Sequence, residues 1–283
     1  MSQRPRILAC CRVSVREADI FRLWIRHYSP HADKLAAVIV AESDDQTGVL
    51  EKLCEKSSVH YEVWKAERFH PGTTMLALRQ IVKRIESDWI IHTDSDEFLY
   101  EIEDIRPVIA RMKEEGADHA VAWMADRLAF GGRLGSVGGL DNVPDLEAAF
   151  PVRAAVTEGL ARACAYKVCV SRWPFLGAIH HAGDDLHKNA KQRLTLEHFK
   201  WRTGLEERLR KRMMDHGASK LPWGSESQRI LDELKVHGRI RAERWLAPRS
   251  RRIHGWMDYE DIYRGAVKTA PQNAHFVEVG VWR

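Results

Sequence analysis

The pattern on which the predicted fold depends is WIIHTDSDEFL, residues 89–99. It opens with one aromatic and two β-branched residues, a run too short for a helix and typical of a buried strand. Asp94 and Asp96 are two residues apart, so an extended backbone directs both carboxylates to one side. They follow the strand at its carboxyl end, where open α/β sheets bind ligands. Two carboxylates there suit a hard divalent cation that also holds phosphates; the alternative is a polar turn that ends the strand.

Strand and helix patterns alternate on both sides of this stretch. The residues before it predict strands over residues 6–11, 36–40 and 59–64 and helices over residues 16–28, 50–56 and 74–85, with Ser14 as the first N-cap. This order predicts an α/β fold with a mostly parallel sheet and helices on both faces. After it we expect a helix over residues 104–115, strands over residues 120–124 and 167–170, a glycine-rich mobile loop over residues 131–139, and a helix-rich part from residue 188.

The bulk composition excludes several classes of protein. The chain has 283 residues, 45% hydrophobic and 30% charged, which is ordinary for a globular protein with one large domain or two small ones. A net charge of +4 is small for this length and predicts no nucleic-acid partner. The five cysteines form no C-x-x-C pair, so we expect a reduced, cytoplasmic protein. Apolar runs are too short for a signal peptide or a membrane span, which leaves at most peripheral membrane contact.

Seven segments resemble blocks of the family 2-like glycosyltransferases, which have the nucleotide-sugar-binding GT-A fold. The closest is SDWIIHTDSDEF (87–98), and the others are EADIFRLWIRHY (17–28), VIVAESDDQT (38–47), MADRLAF (124–130), FPVRAAVT (150–157), GAIHHAG (177–183) and LEHFKWR (196–202). The resemblance implies a Rossmann-like GT-A domain over residues 1–250. The nucleoside segment is shorter here than in the family, and its first acid is Glu42 rather than Asp.

This resemblance implies metal-dependent transfer of a sugar from a nucleoside-diphosphate donor to a hydroxyl acceptor. Asp96 would ligate Mn²⁺ or Mg²⁺ bridging the sugar diphosphate, and Asp94 would contact the metal or the donor ribose. The cation would stabilise the charge that builds up on the leaving diphosphate. His198, or next His181, would be a further ligand and would favour Mn²⁺; the alternative for each is a partly buried imidazole.

Five further residues are candidates for binding the nucleotide sugar. Glu42 and Asp45 follow the second strand and would contact the base and ribose, or else form a polar loop with Asx turns. Lys200 and Arg202 are placed to meet a diphosphate. Arg79, one helix before the acidic stretch, either reaches a phosphate or belongs to a solvated helix face.

An inverting transfer needs a base that deprotonates the acceptor hydroxyl. Asp126 follows a predicted strand, and Asp185, in the pair Asp184-Asp185, loosely resembles an acid pair of the family. The alternative for Asp185 is a helix N-cap, and the sequence does not choose between the two candidates. The acceptor, which is a glycan, a lipid-linked molecule or a small molecule, stays open as well.

Two further segments have interpretations of their own. Residues 188–212 contain nine Lys or Arg against three Glu, which indicates either contact with a phosphate-bearing acceptor at an anionic surface or, as we favour, a solvated amphipathic helix. Residues 251–283 form a C-terminal extension that ends in NAHFVEVGVWR (273–283). That ending resembles the first strand of a methyltransferase domain, which would make the chain the front part of a longer polypeptide; the alternative is a final strand of the same domain.

Two other functions compete with the transferase. One is a phosphatase or phosphotransferase with an aspartate nucleophile, since an Asp-x-Asp pair serves that chemistry too. Phe98 argues against it, because it stands two residues after Asp96 where such enzymes usually have a hydroxyl residue. The other is a non-catalytic module that binds nucleotide sugars or anionic surfaces through residues 188–212.

Overall fold

The computed structural model describes residues 4–42, 46–65, 71–100, 104–157, 160, 166–172, 188–218 and 223–241. Within them, nine strands form one sheet: β1 (Ile7–Ser14), β2 (Lys34–Ala41), β3 (Val59–Lys65), β4 (Trp89–Asp94), β5 (Glu97–Leu99), β6 (His119–Leu128), β7 (Val152–Ala154), β8 (Tyr166–Ser171) and β9 (Leu194–His198). The α-helices of the same ranges are α1 (Ala18–Tyr28), α2 (Gly48–Lys56), α3 (Pro71–Lys83), α4 (Arg106–Glu114), α5 (Val143–Ala149), α6 (Leu205–Ala218) and α7 (Trp223–His237). The predicted α/β class is confirmed.

The sheet has the strand order β3-β2-β1-β4-β8-β6-β9-β5, with β7 paired to β6. β3, β2, β1 and β4 are parallel, as predicted. β8 runs antiparallel to both β4 and β6, whereas β9 is parallel to β6 and antiparallel to β5. The sheet is therefore parallel in its first half and mixed in its second. β1, β2, β3, β4, β6 and β9 all end on one side of the sheet, which we call the carboxyl edge.

The position of β1 creates a switch point at this edge. β1 lies between β2 and β4. The chain adds β2 and β3 on one side of β1 and then crosses to the other side, where β4 pairs with β1. Open α/β sheets leave a ligand-binding crevice at such a reversal. The register pairs Arg12 of β1 with Asp94 of β4, so the acidic stretch lies at the carboxyl edge beside the switch point.

Helices cover both faces of the first four strands. In β1, Ala9 and Cys11 pack in the same cluster as α1, while Leu8 and Cys10 pack in the cluster that contains α3. A strand covered on both faces has no solvent side, which is why β1 is apolar from Ile7 to Cys11 and has its charged residue, Arg12, near its carboxyl end. The cysteines in the described part of the chain are buried free thiols.

The ends of two strands differ from the prediction in a way that matters for function. β6 continues to Leu128 and is buried along its whole length, so Asp126 lies inside a strand rather than after one. The part after residue 188, predicted to be helix-rich, begins with β9, which ends at His198 and brings that residue to the carboxyl edge. α6 and α7 follow β9.

The turn before α1 has the predicted N-cap. The backbone N–H of Arg16 donates to Ser14 Oγ at 3.4 Å, and the N–H of Ser14 donates to the Glu17 carboxylate at 3.2 Å. This reciprocal capping box holds Glu17 at the start of α1. The glycine-rich residues 131–139 are anchored to the core, because Val137 is fully buried and Gly135 pairs with Arg202 through the backbone.

The described helices include none that is both long and apolar enough to cross a membrane. The C-terminal extension from residue 251, with its resemblance to a methyltransferase strand, lies outside the described residues.

Candidate functional site

Asp94 ends β4 with both carboxylate oxygens in ion pairs. Arg12 Nη2 donates to Oδ1 at 2.9 Å, and Lys167 Nζ donates to Oδ2 at 3.0 Å. Burial acts to raise the pKa of Asp94, but the charges of Arg12 and Lys167 outweigh it and hold that pKa well below its usual range. The carboxylate is therefore charged at neutral pH. The predicted metal contact of Asp94 would require it to give up one of these ion pairs.

Lys167 and Glu97 form a buried pair beside Asp94. Each side chain is 2% exposed, and Lys167 Nζ contacts Glu97 Oε2. The same Oε2 accepts a hydrogen bond from the backbone N–H of Asp94 at 2.6 Å, so Glu97 closes the turn that carries Asp96. Burial raises the pKa of Glu97, and the charge of Lys167 offsets this only in part. The pKa of Lys167 is raised despite its burial, because two carboxylates face it.

Asp96 lies in the turn between β4 and β5, where Arg202 holds it. Arg202 Nη1 donates to Asp96 Oδ2 at 3.1 Å, and Nη2 contacts Glu17 at 3.3 Å. Burial acts to raise the pKa of Asp96, but the nearby charges of His198 and Arg202 lower it. Arg202 is fully buried. Its guanidinium contacts Asp96, Glu17 and the backbone carbonyl of Phe199, and its contact with a diphosphate stays a prediction.

His198 ends β9 and faces Asp96 across a gap. Its Nε2 lies 3.9 Å from Asp96 Oδ1, beyond hydrogen-bond distance, while its Nδ1 lies 2.9 Å from Asp126 Oδ1. Burial acts to lower the pKa of His198, but the hydrogen bond to Asp126 and the charge of Asp96 outweigh it, so the pKa is raised. The structure thus brings together Asp96 and His198, two of the four predicted metal ligands.

Asp126 does not have the geometry of the predicted base. It is fully buried and accepts hydrogen bonds from the N–H and the hydroxyl of Thr157, both at 2.6 Å, and from Trp201 Nε1 at 2.8 Å, in addition to its contact with His198. A general base must come within hydrogen-bond reach of the proton that it removes. Asp126 lies inside β6 and beneath His198, whereas the prediction placed it after a strand, and its role as the base stays a prediction.

The residues predicted to contact the nucleoside or the phosphates differ in whether their charged groups are already paired within the chain. Glu42 directly follows β2 at the carboxyl edge, where its carboxylate contacts Lys211 of α6. Arg79 of α3 is partly buried, and its Nε has no hydrogen-bond partner among the residues that the structure describes. Lys200 donates to Glu226 of α7 at 3.1 Å, so its ammonium group is paired with a carboxylate rather than open to a diphosphate.

Several predicted residues cannot be placed in this site. Asp45, His181 and Asp185, together with their neighbours His180 and Asp184, lie outside the described residues. The roles predicted for them stay predictions.

Asp96 and His198 are the pair whose chemistry fits a divalent cation. The described residues contain no group of three or more His, Cys, Asp or Glu side chains that could hold a metal ion. Magnesium sites, however, often use one or two protein carboxylates together with substrate phosphates and water. His198 has the support that metal-bound histidines usually have, because a carboxylate holds its second ring nitrogen. The residues present therefore fit the cation that the resemblance implies.

The four Lys and Arg side chains of α6 are engaged within the chain and not gathered on a free surface. Arg208 donates to the backbone carbonyls of Thr203 and Lys200, and the other three pair with carboxylates. This agrees with the solvated-helix interpretation of residues 188–212. The ion pairs are Arg210 with Glu206, Lys211 with Glu42, and Arg212 with Glu226.

Three residues of the site were missed by the sequence predictions: Arg12, Lys167 and Glu17. Arg12 follows five apolar residues of β1, and Lys167 stands in the otherwise uncharged strand YKVCVS. A charged residue inside a buried strand must be paired, so this pattern could have pointed to both cations. For Glu17, the available signal was the S-x-x-E capping box.

Comparison with known proteins finds distant structural similarity and no sequence match. The sequence matches no protein-family model and no curated protein. The chain is similar to residues 1–349 of S. aureus TarS, at 12% identity and a TM-score of 0.35 over 93% of this chain and 79% of that one. The same protein in complex with UDP-GlcNAc is similar at 11% identity and a TM-score of 0.35, over 95% of this chain and 82% of that one.

A third similar structure is glucosyl-3-phosphoglycerate synthase from Mycobacterium tuberculosis, in complex with Mg²⁺ and UDP. The identity is 21% and the TM-score 0.30, over 59% of this chain and 56% of that one. Similarity at this level does not carry an activity from one protein to another.

Proposed function

We propose that this chain is a nucleotide-sugar-dependent glycosyltransferase of the GT-A type, which transfers a sugar from a nucleoside diphosphate to a hydroxyl acceptor. The observation that carries the proposal is the acidic pair at the switch point. Asp94 and Asp96 are held charged at the carboxyl edge, and His198 faces Asp96 across a 3.9 Å gap. Doubly wound sheets bind nucleotides at this position.

The donor nucleotide is proposed to lie across the ends of β1, β2 and β4. Glu42 and Asp45 follow β2 and would contact the nucleoside. When the nucleoside binds, Glu42 would either keep its ion pair with Lys211 or break it. The N-terminal part of α3 lies at the same edge, because Thr74 Oγ1 is 3.4 Å from Arg12 Nη1. Helix N-termini attract phosphates, and the unpaired Nε of Arg79 is a further donor on this helix.

Asp94 has a separate proposed role in holding the donor sugar or ribose. Arg12 and Lys167 fix its carboxylate from two sides, so it is oriented before the donor arrives. Each carboxylate oxygen has more than one lone pair and accepts a further hydrogen bond from a hydroxyl group. Such a preorganised, charged acceptor positions the sugar without moving during the reaction.

A Mn²⁺ or Mg²⁺ ion held by Asp96 and His198 is part of the same proposal. When bound, it would stabilise the charge on the leaving diphosphate as a Lewis acid. The chain contributes by keeping Asp96 charged and in place through Arg202, and by holding the ring of His198 through Asp126.

We further propose that the transfer inverts the sugar, with a base that deprotonates the acceptor hydroxyl. Since Asp126 is buried beneath His198, Asp185 is the remaining candidate for that base. The acceptor is a glycan, a lipid-linked molecule or a small molecule, reached in the cytoplasm with at most peripheral membrane contact.

The geometry favours this function over its competitors. As a nucleophile, Asp94 would have to give up its ion pair with Arg12 or Lys167, whereas its proposed role as a hydrogen-bond acceptor leaves both ion pairs in place. A module that binds anionic surfaces needs free cations, but three of the four Lys and Arg side chains of α6 are paired with carboxylates and the fourth, Arg208, donates to backbone carbonyls.

Thermal denaturation with a panel of nucleoside diphosphates, each with and without Mn²⁺, tests the proposal. A ligand at 100 times its Kd stabilises the folded state by about 2.7 kcal/mol. That corresponds to a rise in Tm of about 5–11 °C for a chain of this size. We expect a uridine or guanosine diphosphate to raise the Tm only when Mn²⁺ is present.

Asp96→Asn should abolish this shift, and Asp88→Asn is its matched control. Asp88 precedes β4 and pairs with Arg6 at 3.2 Å, at the opposite edge of the sheet. The Asp88→Asn variant should keep the shift of the unmodified chain. If no nucleotide raises the Tm of the unmodified chain, or if Asp96→Asn retains the full effect, the proposal is wrong.

A further inference from the structure

A buried cluster of hydrogen bonds lies under His198, with Asp126 at its centre. The register of β6 and β9 places Asp126 directly beside His198. Oδ1 of Asp126 accepts from His198 Nδ1 at 2.9 Å, from Trp201 Nε1 at 2.8 Å and from the Thr157 hydroxyl at 2.6 Å, and Oδ2 accepts from the Thr157 N–H at 2.6 Å. The donors come from separate segments of the chain, so the cluster forms only in the folded protein.

We propose that Asp126 is a positioning residue that keeps a proton on Nδ1 of His198 and turns Nε2 towards Asp96. The inference rests on the proposed function, in which His198 and Asp96 hold the cation. The indole N–H of Trp201 and the backbone N–H of Thr157 can only donate, so both oxygens of Asp126 act as acceptors. An ionised Asp126 has no proton to donate, so the His198 Nδ1 that faces Oδ1 carries the proton of that hydrogen bond.

The position of that proton decides what Nε2 can do. In a neutral imidazole one nitrogen carries the proton and the other has the lone pair that binds a metal. A proton fixed on Nδ1 leaves the lone pair on Nε2, which is the atom that faces Asp96 at 3.9 Å. Without Asp126, His198 would be free to adopt the other tautomer, which blocks Nε2, and to rotate away. Loss of such a supporting partner typically weakens metal binding 10- to 100-fold.

Glu197 provides a matched control on the neighbouring residue. It is 1% exposed and projects to the other face of β9, where Arg153 Nε donates to it at 2.7 Å and Arg127 Nη1 lies 3.5 Å away. Glu197→Ala therefore removes an equally buried carboxylate. It leaves the buried Arg127 and Arg153 without this carboxylate, which damages the structure in a comparable way. It leaves the contact between Asp126 and His198 intact.

The first measurement uses the unmodified protein and needs no variant of Asp126. ¹⁵N-histidine NMR of the metal-free protein, recorded at a pH at which the His198 ring is neutral and with His198 assigned by its loss in His198→Gln, reports which ring nitrogen carries the proton. We expect a slowly exchanging proton on Nδ1. A bare Nδ1 on His198 would overturn the proposal.

The second measurement is the affinity for Mn²⁺ alone, from the EPR signal of the free ion, in Asp126→Ala and Glu197→Ala. We expect Asp126→Ala to weaken Mn²⁺ binding about 10- to 100-fold and Glu197→Ala to change it less than about 2-fold. Equal losses in both variants would show a merely structural role and overturn the proposal. If the unmodified chain binds no Mn²⁺ although Nδ1 is protonated, the positioning of the ring is supported and the proposed metal site fails.

Discussion

Replacing Lys167 with methionine removes a buried cation that lies between two carboxylates. Lys167 is 2% exposed and contacts both Asp94 and Glu97. Removing one partner of a buried ion pair costs about 3–5 kcal/mol, because the other charge stays buried without compensation. Asp94 is 34% exposed and keeps Arg12, so most of the cost arises at Glu97, which is 2% exposed.

We therefore expect Lys167→Met to lower the free energy of unfolding by about 3–5 kcal/mol at neutral to alkaline pH. This corresponds to a fall in Tm of roughly 6–20 °C. Urea denaturation followed by tryptophan fluorescence measures the loss.

The loss should also depend on pH, with a sign that follows from Glu97. Burial already raises the pKa of Glu97 in the folded chain, and without Lys167 it rises further. The folded variant then binds a proton more tightly than the unfolded chain, whose glutamate pKa is about 4.3. The stabilisation from this proton is complete below the unfolded pKa and is lost as the pH rises through the folded pKa. The variant should therefore approach the stability of the unmodified chain in acid.

Two further variants separate the charge effect from general damage. Glu97→Gln in the Lys167→Met background removes the unpaired buried charge but keeps an acceptor for the N–H of Asp94. This double variant should therefore recover most of the lost free energy of unfolding. Arg84→Met breaks an ion pair with Glu62 whose side chains are 62% and 33% exposed, and should cost less than about 1 kcal/mol. A loss for Lys167→Met below about 1 kcal/mol, or no recovery in the double variant, would refute the reasoning.

Two further predictions concern stability away from the charged groups. Gly131 and Gly132 both have a φ of +73°, but a Cβ at Gly132 would lie 2.0 Å from a backbone carbonyl oxygen, whereas at Gly131 it meets nothing within 4 Å. Gly131→Ala should therefore cost about 1–2 kcal/mol in urea denaturation, and Gly132→Ala clearly more; equal losses would contradict the steric argument. Trp24→Phe removes a hydrogen bond of 2.7 Å from the indole to the buried Thr93 hydroxyl, and should cost about 1–3 kcal/mol in unfolding free energy. Adding Thr93→Val should recover part of that loss, because both polar partners are then gone; a double variant that melts below Trp24→Phe would count against this account.

The sequence predicted the features that depend on neighbours in the chain. The strand before Asp94, the N-cap Ser14 and the alternation of strands and helices all follow from patterns a few residues long. Because the carboxyl ends of parallel strands lie on one side of a sheet, these local predictions were enough to place Asp94 and Asp96 where such sheets bind ligands. The strand order β3-β2-β1-β4, which makes this place a switch point, is known only from the structure.

The tertiary structure alone decided what surrounds the acidic pair. Asp126 was taken for a base after a strand, but it lies inside β6 and its partners are 31, 72 and 75 residues away in the chain. Lys167 and Arg202 reach the pair from 73 and 106 residues away. A short window of sequence holds no information on which distant strand becomes a neighbour, because that depends on the register and order of the whole sheet. The local sequence therefore determines the position of Asp94 and Asp96 at the end of β4, and the packing of the sheet determines which charged groups and protons contact them.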